Sequence, residues 1–208
     1  MIRSYLAFVA TALLVPGMHL QGQISVRDAL SYSFASGLVA SPDGDRIAWQ
    51  ENHRGVRNVW VAEAPGWVGR AVTEYQADDG QEIGGLAITP DGASVLYVRG
   101  GAPNRQGEVP DPLYTTELEG RAIWIVPVAG GEPRKVADAG GFTLAPDGKR
   151  LVYGQGREIW AVGLEPDAEP RLIATIRGGA GSFAWSPEGE RLAFVSGRGD
   201  HAFVGVLD

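Results

Sequence analysis

The chain has 208 residues, 44% hydrophobic and 21% charged, which is the composition of a soluble globular protein with one sizeable core. With 25 Asp and Glu against 18 Lys and Arg, its formal net charge of −7 is spread without a basic block, which excludes the electrostatic footprint of a nucleic-acid partner. The absence of cysteine excludes disulfides, thiolate zinc sites and a lipid-modified cysteine near the N-terminus.

Residues 1–22 read as a signal peptide. Arg3 supplies the positive start, Tyr5 to Val15 is an almost unbroken apolar run of eleven residues, Pro16-Gly17 breaks it, and Gly22 offers a small residue for cleavage. A membrane span needs about 20 apolar residues, so the run is too short to be one. The mature protein is therefore expected to begin near Gln23 and to be exported, periplasmic or secreted, with no membrane attachment after cleavage. Residues 23–36 form a lead-in, in which Ser25 caps a short helix with Asp28 in its first turn, ending near Ser31.

From residue 37 to Asp208 the apolar runs are four to seven residues long and bounded by Gly, Pro, Asp and Asn, which predicts strands and turns throughout. One phrase recurs four times: "SPDGDRIAWQ" from Ser41, "TPDGASVLYV" from Thr89, "APDGKRLVYG" from Ala145 and "SPEGERLAFV" from Ser186. Aligned on Pro42, Pro90, Pro146 and Pro187, the fifth residue on is Ile47, Val95, Leu151 or Leu192, and the seventh is Trp49, Tyr97, Tyr153 or Phe194. The residues between these are apolar too, so the strand is expected to bury both faces. A partner strand follows, with Trp60, Trp124 and Trp160 at equivalent places and "AFVGV" from Ala202 as a weaker fourth copy.

With the strand that enters each phrase and a short strand such as "GGEPRKVA", one unit is four antiparallel strands, a propeller blade. The prolines are 48, 56 and 41 residues apart, near the blade period of roughly 40–50 residues. The predicted fold is all-β: a partial β-propeller of four-stranded blades over about 37–75, 83–138, 141–176 and 181–208, the last incomplete. Asp43, Asp91, Asp147 and Glu188 are expected to form the hairpin turns rather than to ligate metal.

The repeats "SPDGDRIAW…NVWVAEAPG", "TPDGASVLYV" and "AIWIVPVAGGEPRKV" resemble the TolB-type propeller. Together with the lead-in "SVRDALSYSFASGLVASPDG", they resemble the N-terminal propeller of secreted bacterial prolyl oligopeptidase family serine peptidases, relatives of dipeptidyl peptidases and acylaminoacyl peptidases. That resemblance implies a propeller that filters peptides for a C-terminal α/β-hydrolase domain with a Ser, Asp, His triad. No G-x-S-x-G occurs in the chain, so no catalytic residue can be assigned, and no cofactor is implied. The expectation is a propeller fragment whose partners are peptide substrates and its own hydrolase domain, without peptidase activity by itself. The alternative is a TolB-like periplasmic protein-binding propeller with no enzymatic activity.

His53 and His201 fall in predicted hairpin connections and do not suggest a metal site, and Arg198-Gly199-Asp200 is expected to be a turn. One segment breaks the repeat. From the proline to the partner-strand tryptophan there are 18 residues in the first unit, 14 in the third and 34 in the second. The insert, about Gly100 to Gly120, carries Glu108, Asp111, Tyr114, Glu117 and Glu119. Such an insert reads first as a solvated, mobile loop; if it instead lines a substrate chamber, its acids would meet a peptide amino terminus.

Overall fold

The computed structural model describes residues 25–106, 108–109 and 120–208, so the expected signal peptide lies outside the described residues. The first element, α1 (Val26–Ser31), is held by a reciprocal cap. The Ser25 hydroxyl accepts the Asp28 amide at 3.0 Å, and the Asp28 carboxylate accepts the Ser25 amide at 3.2 Å.

Everything after it is strand and turn. The first sheet holds β1 (Phe34–Ala40), β2 (Arg46–His53), β3 (Val56–Glu63) and β4 (Arg70–Ala71). The second holds β5 (Ile83–Ile88), β6 (Ser94–Arg99), β7 (Ala122–Pro127) and β8 (Arg134–Ala137). The third holds β9 (Thr143–Leu144), β10 (Arg150–Gln155), β11 (Glu158–Gly163) and β12 (Arg171–Thr175). The fourth holds β13 (Gly179–Trp185), β14 (Leu192–Gly197) and β15 (Ala202–Leu207). Each sheet is an antiparallel meander in chain order, and the whole is a partial β-propeller.

The recurring phrase is the hairpin between the first and second strand of every sheet. In each copy the glycine amide returns to the carbonyl of the leading small residue, as from Gly44 to Ser41 at 2.9 Å and from Gly92 to Thr89 at 2.7 Å. Gly44, Gly92, Gly148 and Gly189 all have φ between +67° and +78°, a conformation that costs glycine nothing. Asp91 Oδ1 accepts the Ala93 amide at 3.0 Å and Asp147 Oδ1 the Lys149 amide at 3.0 Å, so these acids close their own turns.

The cross-strand register follows the sequence alignment. Trp49 pairs with Trp60, Tyr97 with Trp124 and Tyr153 with Trp160, while Phe194 meets Gly205. A Cβ on Gly205 would collide with the Phe194 ring, so glycine there leaves room for the ring that a tryptophan accompanies elsewhere.

Three cores join the four sheets in succession. Val95 and Tyr97 pack with Ala48, Val59 and Val61 of the first sheet. The intervening Leu96, with Val98, packs on Leu151 and Tyr153 of the third. Val152 in turn meets Leu192 and Phe194 of the fourth. Side chains alternate across a strand, so a strand sandwiched between two sheets buries every successive residue. Val95, Leu96 and Tyr97 are fully buried, as are Leu151 and Val152. In β2, which has a neighbouring sheet on one side only, Ala48 is buried while Ile47 and Trp49 are half-exposed.

The hairpins also nest from sheet to sheet. The Arg46 guanidinium occupies the space a Cβ on Gly92 would fill, and the Pro90 ring does the same at Gly148. The Arg150 guanidinium donates to the Gly189 carbonyl at 2.8 Å.

Candidate functional site

A meander reverses direction at every turn, so its connections alternate between the two ends of the sheets. The proline-containing hairpins crowd one end. The other end carries the β2–β3, β6–β7, β10–β11 and β14–β15 hairpins and the links from each sheet to the next. The insert belongs to the β6–β7 hairpin and so opens on this second end.

The root of the insert is firmly held. The Gly100 amide donates to the Glu82 carbonyl at 2.9 Å, and the Gly101 amide to Gln81 Oε1 at 3.1 Å. Further out, Asn104 Oδ1 accepts the Gln106 and Glu108 amides at 2.9 and 3.0 Å, while its Nδ2 donates to Glu108 Oε2 at 2.7 Å. Glu108 is exposed, with its carboxylate turned back on its own loop. Asp111, Tyr114, Glu117 and Glu119 lie outside the described residues. Of the five residues singled out in the insert, the structure thus places one.

Beside the root, a polar seam joins the first two sheets. The Tyr97 and Tyr75 hydroxyls are 2.7 Å apart, and the Arg99 guanidinium lies 4.2 Å over the Tyr75 ring while pairing with Asp79. Burial, then the neighbouring Tyr75 hydroxyl, pushes the Tyr97 phenol far above its ordinary range. It therefore stays neutral and serves this seam as a hydrogen-bonding hydroxyl. Arg57 pairs with Asp78 at 3.5 Å across the link between these two sheets. Charge in this seam is matched.

His53 is the last residue of β2, paired with Val56, rather than part of the connection, and its Nδ1 lies 3.2 Å from the Ser33 hydroxyl. His201 does lie in a hairpin, with Nδ1 2.6 Å from Asp200 Oδ1. Arg198-Gly199-Asp200 forms that same β14–β15 hairpin, with the Arg198 Nε donating to the Arg177 carbonyl at 3.1 Å. Among the described residues no group of three or more His, Asp or Glu is placed to hold a metal ion. No helix among them is long and apolar enough to cross a membrane.

Sequence reasoning missed a second feature of this end: a cleft lined by Arg157, Arg177, Gly178, Arg198 and His201 where the third and fourth sheets meet. A signal for it was present in the repeat. Arg57, Arg121 and Arg157 all stand three residues before a partner-strand tryptophan, so an arginine at the start of the partner strand belongs to the pattern.

No protein-family model matches the chain. A curated protein named diaminopimelate epimerase, from Cupriavidus metallidurans, is 35% identical over an 88-residue alignment that covers 39% of this chain and 30% of that protein. Among solved structures, TolB from Acinetobacter baumannii superposes with a TM-score of 0.58 at 15% identity, covering 85% of this chain and 41% of that one. An oligogalacturonate lyase in complex with manganese gives 0.60 at 16% identity, covering 83% and 50%. An acylaminoacyl peptidase in complex with Z-Gly-Gly-Phe-chloromethyl ketone gives 0.54 at 17% identity, covering 84% and 31%. The chain thus spans half or less of each of these proteins. What it shares with the solved structures is the fold, a β-propeller like those of TolB-type proteins and of the propeller domains of such peptidases.

Proposed function

We propose that this chain is the non-catalytic, substrate-gating propeller portion of an exported serine peptidase, whose peptide hydrolysis belongs to a C-terminal α/β-hydrolase domain. The observation that carries this reading is the combination of a propeller fold like that of the acylaminoacyl peptidase with a sequence lacking any nucleophile elbow. A propeller of this kind contributes selection. Its sheets are rigid, its connections vary, and an insert at one end restricts what reaches a neighbouring domain. The apolar run ending at Pro16-Gly17 supports export, and a mature start near Gln23 goes with it.

The protein isolated from its native source tests the proposal. Covalent labelling by a fluorophosphonate, with hydrolysis of acyl-peptide substrates that the label abolishes, is the expected result, together with no hydrolysis by the 208-residue chain alone. The second reading is a TolB-like periplasmic protein-binding propeller, favoured by the superposition on TolB over 85% of this chain. It prevails if the native protein takes no label and is instead recovered in stable complex with another envelope protein. A cytoplasmic product retaining Met1 overturns export in either case.

A further inference from the structure

We propose that the arginine-lined cleft between the third and fourth sheets is a binding site for an oxyanionic ligand carrying at least two negative charges, as carboxylate or phosphate. The cleft has a volume of about 670 Å³, and its lining includes Arg157, Arg177, Arg198 and His201. The three arginines come from three separate connections: the β10–β11 hairpin, the β12–β13 link and the β14–β15 hairpin. Two of them are oriented by the backbone. Arg157 Nε donates to the Ile176 carbonyl at 3.1 Å, and Arg198 Nε to the adjacent Arg177 carbonyl at 3.1 Å. Arg198 also lies 4.5 Å over the Phe203 ring, which His201 meets edge-on at 5.2 Å. Tethering through Nε leaves the paired Nη groups of each guanidinium, the edge that grips carboxylate and phosphate bidentately.

The contrast with the first sheet makes the case. There the repeat-equivalent arginine, Arg57, meets Asp78 in the link to the following sheet. In the third sheet Arg157 meets a link whose charged residue is another arginine, Arg177. Among the described residues no carboxylate pairs with Arg157, Arg177 or Arg198; the Asp200 carboxylate at the cleft lies 2.6 Å from His201 Nδ1 instead. Three guanidinium groups gathered with no carboxylate paired to any of them, in a protein of net charge −7, repel one another, and an anion of matching charge removes that repulsion.

Titration calorimetry on the full chain at roughly 50 mM salt, where screening is modest, uses inorganic phosphate and citrate as probes. Arg177→Gln is the informative variant, because its side chain makes no hydrogen bond among the described residues and its loss leaves both carbonyl tethers in place. Affinity is expected to fall at least about tenfold in R177Q and in R198K, which keeps the charge but loses the fork. In R171Q, which removes an equal charge outside the cleft, it is expected to stay within about twofold. Citrate binding without phosphate assigns a carboxylate ligand, phosphate without citrate assigns a phosphate ligand, and both together support the shared chemistry. The proposal is overturned if neither probe binds the unaltered chain at about 10 mM, if R177Q binds as well as the parent, or if R171Q loses as much.

Discussion

At the scale of single residues, the four hairpins form a graded series. In the first two, a leading hydroxyl both accepts a backbone amide and donates to the acid two residues on. Thr89 Oγ1 receives the Ser94 amide at 3.0 Å and donates to Asp91 at 2.6 Å, and Ser41 serves Arg46 and Asp43 in the same way. The third copy has Ala145, buried and without a hydroxyl, so its turn lacks both bonds. Ala145→Ser is expected to raise stability by about 0.5–1 kcal/mol, read as a higher urea midpoint at unchanged slope, because the sister turns show that the site accommodates the group. An unchanged or lower midpoint would mean that the third turn packs differently.

The same hydroxyls tune acidity. The Ser41 hydroxyl, then the Asp45 amide, holds the Asp43 carboxyl below its usual range, and the Thr89 hydroxyl and Ala93 amide do so for Asp91. Glu63 is lowered by its bonds to Arg46 and Arg70, at 3.0 and 2.8 Å. A carboxyl whose folded pKa lies below its unfolded value contributes stability that is present above about pH 4 and lost as pH falls through the folded value. The urea midpoint is therefore expected to decline on acidification below about pH 4, and Thr89→Val to flatten part of that decline. A midpoint independent of pH over that window contradicts this assignment.

At the scale of elements, sheets are joined by close approach as well as by apolar burial. Gly154 in β10 faces β13, and a Cβ there would sit 2.5 Å from the Ala180 carbonyl oxygen, a backbone atom that cannot swing away. Gly154→Ala is expected to cost about 1–3 kcal/mol by forcing the third and fourth sheets apart. Hydrogen exchange should localise the damage to β13–β15, sparing β1 to β8. Parent-like stability in the variant would show that this contact relaxes freely. The sequence gives no hint of this glycine's role, since its neighbour across the seam lies 26 residues away and is met only once the sheets stack.

For the whole molecule, the cores run between adjacent sheets, and the outward faces of the first and fourth are left apolar. On β15, Leu207 packs toward the third sheet, while Val204 and Val206 face away and are 77% and 59% exposed. Leu38 on β1 is 68% exposed. The outward valines pair across the sheet with Val195 and Ala193, so this face has the character of the buried ones. The 208-residue chain is expected to self-associate at about 50 μM, seen by sedimentation velocity. Val204→Lys with Val206→Lys should restore smaller species without loss of strand content. A monodisperse parent chain at that concentration contradicts this view of the face.

Turn chemistry and alternation are local. Asp and Gly two and three residues after a small residue make the hairpin in the first three copies, and three successive apolar residues mark the second strand of each sheet, buried on both faces in β6 and on one in β2. The sequence by itself therefore determined the strand order, the equivalence of the tryptophans from unit to unit, the capped helix and the blade architecture. The aligned prolines put Tyr97 and Trp124 at repeating places along their strands, and the fold sets them opposite one another. What the tertiary structure decided is which side chains meet across seams. The Tyr75, Tyr97, Arg99 and Asp79 network and the convergence of Arg157, Arg177 and Arg198 depend on the rotation between neighbouring sheets, and no short window of sequence encodes that rotation. The insert stands between these cases: its length was legible from a broken repeat and its root bonds to Gln81 and Glu82 only from the fold, because a polar segment rich in Pro and Gly carries no periodicity to say where its side chains go.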